Sequence, residues 1–120
     1  MFGSHKIKEM TPAETHAALV ARRITLIDVR EPAEFAAERI HGALLFPLST
    51  FDPEALPDLG LRPIVFHCGS GKRSASAVER CQRAGLEIDT HMAGGIAAWK
   101  QAGLPTITLD ASTGAVRDAR

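Results

Sequence analysis

The sequence carries no excess charge of either sign, few cysteines and no long apolar run, and each shortage removes a class of function. Fourteen Lys and Arg stand against fourteen Asp and Glu, so no broad cationic field is available to gather nucleic acid or an anionic membrane surface. Neither nucleic acid nor membrane is an expected partner. Cys68 and Cys81 are the only cysteines, with twelve residues between them and no CxxC pair, which is neither a disulfide framework nor a zinc site. No stretch approaches the roughly 20 apolar residues of a spanning helix, and the opening Met1-Phe2-Gly3-Ser4-His5-Lys6 lacks the apolar run of a signal peptide. Reduced thiols in a cytoplasm fit best. The five histidines show no close ligand spacing, so no metal or organic cofactor is implied.

What is present suits one folded domain. The 120 residues are 45% apolar, an ordinary proportion for a single core. The domain is expected to span 1–120, with its core at about 6–108 and a loose polar tail at 111–120. Thr11-Pro12-Ala13-Glu14 has the form of a capping box with Pro at the first helical position, predicting a helix from about Pro12 to Ala21. Ile24 to Val29 reads as a buried strand, Pro32 to Glu38 as a short helix, and Ala43 to Phe46 as a second buried strand that Pro47 ends. Ser49 to Leu59 reads as a surface crossing. Pro63 to His67 is a third apolar run, and it leads through Cys68-Gly69-Ser70-Gly71-Lys72-Arg73 into a helix over Ser74 to Ala84, closed by Gly85. A fourth strand, Ile88 to Met92, precedes Gly94-Gly95 and a helix through Trp99. Strand and helix alternate throughout, which argues for a parallel sheet covered by helices on both faces.

In such sheets the reactive crevice lies at the carboxyl ends of the strands, where Cys68 stands before a helix N-terminus. Two glycines let the loop curl until its N–H groups converge, and the helix adds partial positive charge at the same point. With Lys72 and Arg73 beside it, the thiol of Cys68 should ionise below its free value of about 8.5, in the roughly 3.5 to 7.5 range of such sites. A thiolate nucleophile is the reading. His67 is badly placed as its base, since adjacent residues at a strand end point to opposite faces. Cys81, mid-helix beside Val78 and Ala84, reads as a small hydrophobe or half-exposed bystander. Trp99 with Ile96 reads as a core anchor, and His91, in a strand, as structural or exposed rather than a ligand. Gly71-Lys72 does not make a nucleotide-binding loop, because Phe66 and Arg73 occupy the places of its required Gly and Ser or Thr.

Together, Leu26-Ile27-Asp28-Val29-Arg30-Glu31 with Glu34 and Phe35, Ile40-His41-Gly42-Ala43, Cys68 to Arg73 followed by Ser74, and Gly94-Gly95-Ile96 with Trp99 resemble the single-domain rhodaneses, which are sulfurtransferases. The resemblance runs from about Ile24 to Pro105. It implies a three-layer α/β fold whose central, mostly parallel sheet has five strands with helices on both faces. It implies too that Cys68 takes a sulfane sulfur as a persulfide and passes it to an acceptor. The amides of Gly69, Ser70, Gly71, Lys72, Arg73 and Ser74 would cradle the outer sulfur. Arg73 would close the loop and brace backbone or donor oxygens, and Lys72 would attract an anionic donor. Arg30 resembles the family's arginine after Asp-Val, at the site rim or simply solvated, and Asp28 would order the structure.

Four residues separate Cys68 from Arg73, one fewer than in the related cysteine-dependent phosphatases, so the cradle suits a sulfur atom better than a phosphate. Two loop cations favour thiosulfate as donor, although Gly69-Ser70-Gly71 is similar to the loop of mercaptopyruvate sulfurtransferases. Acceptors of the implied chemistry are cyanide, a small thiol, thioredoxin or a sulfur-carrier protein. The reading from another class is a non-catalytic rhodanese module for sulfur sensing or partner binding. From Arg62 to Arg83 five basic residues face one acidic one, Glu79, so the neutral chain has a local positive surplus around Cys68.

Overall fold

The computed structural model describes residues 6–57 and 62–120. Residues 1–5 and 58–61, the latter including the end of the expected crossing at Leu59, lie outside the described residues. The chain begins with β1 (Lys8–Met10), α1 (Pro12–Val20), β2 (Thr25–Asp28), α2 (Pro32–Ala37), β3 (Glu38–Arg39) and β4 (Leu44–Leu45). Two 3-10 turns, Leu48–Thr50 and Pro53–Ala55, precede β5 (Ile64–His67) and α3 (Lys72–Arg83). Then come β6 (Thr90–Met92), α4 (Gly95–Gln101), β7 (Ile107–Leu109) and β8 (Val116–Asp118). The first helix starts where its capping box dictates: Thr11 Oγ1 accepts from the Glu14 amide at 3.1 Å, and Glu14 Oε1 accepts from the Thr11 amide at 2.9 Å.

Five strands form an all-parallel sheet in the order β1-β6-β5-β2-β4. Side chains alternate across it, so β2, buried along its whole length, feeds two cores at once. Leu26 packs with Ile24, Val65, Met92, Ile96 and Trp99, and with Leu19 of α1, on one face. Ile27 packs with Phe66, Cys68 and the α3 residues Ala77, Val78 and Cys81 on the other. Trp99 is the anchor expected of it, buried, with Nε1 donating to Pro105 O at 2.9 Å.

Several element readings change. Lys8–Met10, unread as a strand because two of its three residues are exposed, pairs in parallel with β6 at the sheet edge. The Ala43 to Phe46 run shrinks to the two-residue edge strand β4, with Leu44 exposed, since an edge offers partners on one side only. β6 begins at Thr90 rather than Ile88. The 111–120 segment is not loose: β8 closes a hairpin onto β7, which pairs antiparallel with β3 in a second, three-stranded sheet. Hairpin pairing there rests on backbone hydrogen bonds, which polar, exposed side chains do not advertise. Finally, α3 starts at Lys72, two residues early, so Lys72 and Arg73 belong to the helix's first turn.

Candidate active site at the end of strand β5

β5 delivers Cys68 to the carboxyl edge of the sheet, and the chain turns at Gly71, whose φ of +108° places it in the left-handed region before α3 begins. That turn aims amides inward. Gly71 N donates to Cys68 Sγ at 3.1 Å and Ser74 N does so at 3.3 Å, while Ser74 Oγ lies 3.5 Å from Sγ. Cys68 is 1% exposed. Burial pushes its thiol up, but the Ser74 hydroxyl and the amides of Ser74, Gly71 and Ser70 outweigh burial, and the net direction is below the ordinary thiol value. Cys81 lacks such donors, and burial pushes it up to about 11. The contrast lies in the donors around each sulfur, since both are buried.

The cradle is held from behind by α4. Ile96 N donates to Cys68 O at 2.8 Å and Ala97 N to Gly69 O at 3.2 Å, so the loop carbonyls are tied away from the sulfur and its amides are left to face it. This close approach requires Gly95: with φ at +62°, a Cβ there would lie 2.5 Å from Cys68 O and Gly69 O. The Gly-Gly pair is thus a wall of the site as well as a turn.

The cations depart from expectation. Arg73 does not brace loop backbone; its Nη1 and Nη2 grip Glu34 Oε1 and Oε2 of α2 at 2.7 and 3.0 Å. The Arg73 guanidinium holds the Glu34 carboxyl down at about 2, and the carboxylate in turn raises Arg73. A Cβ on Gly69 would lie 3.0 Å from Arg73 Nη2, so a larger residue after Cys68 would require the guanidinium to give by a few tenths of an ångström. Lys72 is exposed in the first turn of α3, as is Ser70 in the loop. Arg30 is neither a rim residue nor solvated. It is 4% exposed, with Nε and Nη2 on the Asp28 carboxylate at 2.8–3.1 Å and Nη2 on Glu38 O at 2.6 Å. The pair clamps the end of β2 to the start of β3, the ordering role expected of Asp28. A buried guanidinium needs such a counter-charge.

His67 is fully buried and has no contact with Sγ; its Nδ1 lies 3.3 Å from Cys68 O and its Nε2 3.5 Å from Asp28 Oδ2. Burial lowers its pKa against the pull of Asp28. Two site residues escaped the sequence reading. Glu34 appeared only as part of a motif, and His91, read as structural or exposed, contacts the hydroxyl nearest the sulfur: its Nδ1 is 2.7 Å from Ser74 Oγ. The available signal was β-strand register, since Phe66 pairs with His91 and Glu9 with His91 across three strands, but β1 had to be recognised first. Among the described residues no group of three His, Cys, Asp or Glu side chains is arranged to hold a metal.

Fold and site together define a parallel α/β domain with a cysteine-centred cradle of backbone amides. The sequence matches the rhodanese-like domain over residues 11–102, and the chain belongs to that family. An uncharacterized protein of Synechocystis is 45% identical over 84 residues, 70% of this chain and 47% of that protein, so the chain spans about half of that relative's length. A protein of Allochromatium vinosum named sulfurtransferase is 34% identical over 85 residues, 70% of this chain and 78% of its own. Among solved structures, the rhodanese-like domain of an Anabaena protein superposes with a TM-score of 0.72 at 26% identity, covering 93% of this chain and 88% of that one.

Proposed function

We propose that the protein is a sulfurtransferase that carries a sulfane sulfur on Cys68 from a small anionic donor, thiosulfate first, to a thiophilic acceptor such as cyanide or a thiol. The carrying observation is the convergence of Gly71 N and Ser74 N on Cys68 Sγ. In the first half-reaction the thiolate attacks the outer sulfur of thiosulfate, the S–S bond of the donor breaks, and sulfite leaves with the bonding pair. In the second the acceptor attacks the outer sulfur of the persulfide and Cys68 departs as thiolate. The amide cradle stabilises negative sulfur in both states, and a covalent intermediate splits one transfer into two. The sulfurtransferase name of the Allochromatium relative supports the same reaction class. Arg73 is already neutralised by Glu34, which leaves Lys72 as the free cation of the loop and makes mercaptopyruvate the donor to test beside thiosulfate. Two free cysteines suit work in a reducing compartment such as the cytoplasm, where thioredoxin or a sulfur-carrier protein could act as acceptor.

Intact mass spectrometry after incubation with thiosulfate tests the reading: the wild type should gain one sulfur and Cys68→Ser none. A wild type unchanged by thiosulfate and by mercaptopyruvate would overturn it. The near-complete burial of Sγ favours the second reading, a non-catalytic module. That reading takes over if no donor loads the protein and a partner remains bound to Cys68→Ala.

A further inference from the structure

Cys68 has a proton to lose and no direct way to lose it. Cys68 is 1% exposed, Ser74 0% and His91 3%. Yet these three residues stand in line, and the line reaches water. Ser74 Oγ lies 3.5 Å from Sγ, His91 Nδ1 lies 2.7 Å from Ser74 Oγ, and His91 Nε2 lies 3.3 Å from Oε2 of Glu9, whose side chain is 61% exposed. The groups come from β5, α3, β6 and β1, so the arrangement is assembled by the sheet and not by any local motif.

Donor and acceptor roles follow from the ends of the line. A carboxylate only accepts, so the ring nitrogen facing Glu9 carries a hydrogen, and in the neutral imidazole Nδ1 then presents a lone pair to Ser74. The Ser74 hydroxyl has a second acceptor, Gly71 O at 3.2 Å, but the 2.7 Å contact is the shorter. With its hydrogen given to His91, Ser74 Oγ is left as an acceptor for the thiol.

Resting on the reading of Cys68 as a sulfur carrier, we propose that His91, oriented by Glu9, is the positioning residue that accepts the Cys68 proton through Ser74. The S–H bond of Cys68 breaks and its proton moves to Ser74 Oγ, while the original Ser74 proton moves to His91 Nδ1. One proton is transferred net, Ser74 is regenerated, and no electron changes hands. The imidazolium is retained between the thiolate and the Glu9 carboxylate, two negative charges that favour it, so the sulfur is held as the thiolate of an ion pair bridged by Ser74. The titratable groups facing His91 are Glu9 from β1 and, across Ser74 of α3, Cys68 from the end of β5. Burial lowers the imidazole pKa and Glu9 raises it, so the acceptor is neutral and ready when the thiol is protonated. His67, although adjacent in sequence, takes no part.

The test is a thiolate titration by absorbance near 240 nm, with Cys68→Ser as the blank, which needs no sulfur donor and so stands apart from the sulfurtransferase reading. His91→Gln keeps a side chain able to hydrogen-bond Ser74 but unable to take a proton. Its thiolate fraction at neutral pH should fall about three- to tenfold, the scale of one lost favourable neighbour, and sulfur uptake should recover to the wild-type rate as pH is raised. A folded His91→Gln with the wild-type titration curve overturns the proposal, as does a rate deficit that high pH fails to restore. Should His91→Gln not fold, Glu9→Gln, at an exposed position, should shift the curve in the same direction by a smaller amount; no shift overturns the proposal. Nitrogen NMR of the wild-type imidazole supplies an independent reading: hydrogen on Nε2, alone or together with Nδ1, supports the relay, and hydrogen on Nδ1 alone at neutral pH overturns it. If the wild type accepts sulfur from no donor, the functional reading fails while the titration still decides the relay.

Discussion

Two carboxylate–arginine ion pairs play opposite parts beside this site, and the difference is solvent. Asp28 and Arg30 pair at 2.8 Å with side chains 0% and 5% exposed, whereas Glu34 and Arg73 pair at 2.7 Å with side chains 39% and 37% exposed. Asp28→Asn would leave the Arg30 guanidinium buried with no counter-charge, a change of about 3–5 kcal/mol. A urea melt of that variant should show a loss of this size. Glu34→Gln removes a pair that water already screens, so its cost near neutral pH should stay under about 1 kcal/mol. Its signature is instead the acid limb. The folded pKa of Glu34, about 2, lies below its unfolded value, so the pair's contribution is complete above about pH 4.5 and fades as pH falls toward 2. Urea midpoints measured across that window should fall less steeply for Glu34→Gln than for the wild type. Equal slopes would show that the pair does not contribute.

At the scale of elements, the sulfur cradle is a joint product of the β5–α3 turn and the N-terminus of α4. Gly95 permits the contact and Gly85 offers its control. Both have positive φ, but a Cβ on Gly85 meets nothing within 4 Å, while one on Gly95 meets loop backbone at 2.5 Å. Gly85→Ala should cost about 1 kcal/mol for the left-handed backbone alone. Gly95→Ala adds a steric conflict with backbone that cannot rotate away, and should cost at least about 2–3 kcal/mol. Thermal melts of the two variants test the ranking, and a Gly95→Ala protein that melts with Gly85→Ala would refute the role given to the close approach. Sulfur loading of Gly95→Ala should also slow, because Ile96 N and Ala97 N would lose their grip on the loop carbonyls.

For the whole molecule, the two apolar cores lie on opposite faces of one sheet and neither includes any residue beyond Leu104. The C-terminal hairpin is therefore an addition to the domain rather than part of what folds it. A chain ending at Asp110 should retain its urea midpoint to within about 1 kcal/mol, since it loses exposed side chains and a few backbone pairings but no core residue. It should also load sulfur as the full chain does. A large loss would mean that β8 protects the Ile107 edge of the second sheet. The main sheet has the better-protected centre, β5 and β2, and there Cys68 is anchored.

Features set by neighbours in the chain were legible in the sequence: the α1 capping box, the buried runs of β2 and β5, the glycine turn, and the cysteine loop that opens α3. They were legible because a helix start, a strand period and a left-handed turn each depend on a few consecutive residues. The amide cradle around Cys68 belongs to this group, since Gly71 N and Ser74 N lie three and six residues from the sulfur they serve. What only the tertiary structure decided is who meets whom across elements. Glu34 takes the guanidinium assigned to the loop, from 39 residues away. Arg30 turns inward to Asp28, and the edge strand β1, too polar and short to announce itself, brings Glu9 beside His91. Those partnerships arise from sheet order and register, which no short stretch of sequence encodes, and they determine which charges around Cys68 are already neutralised and which side chains can reach its proton.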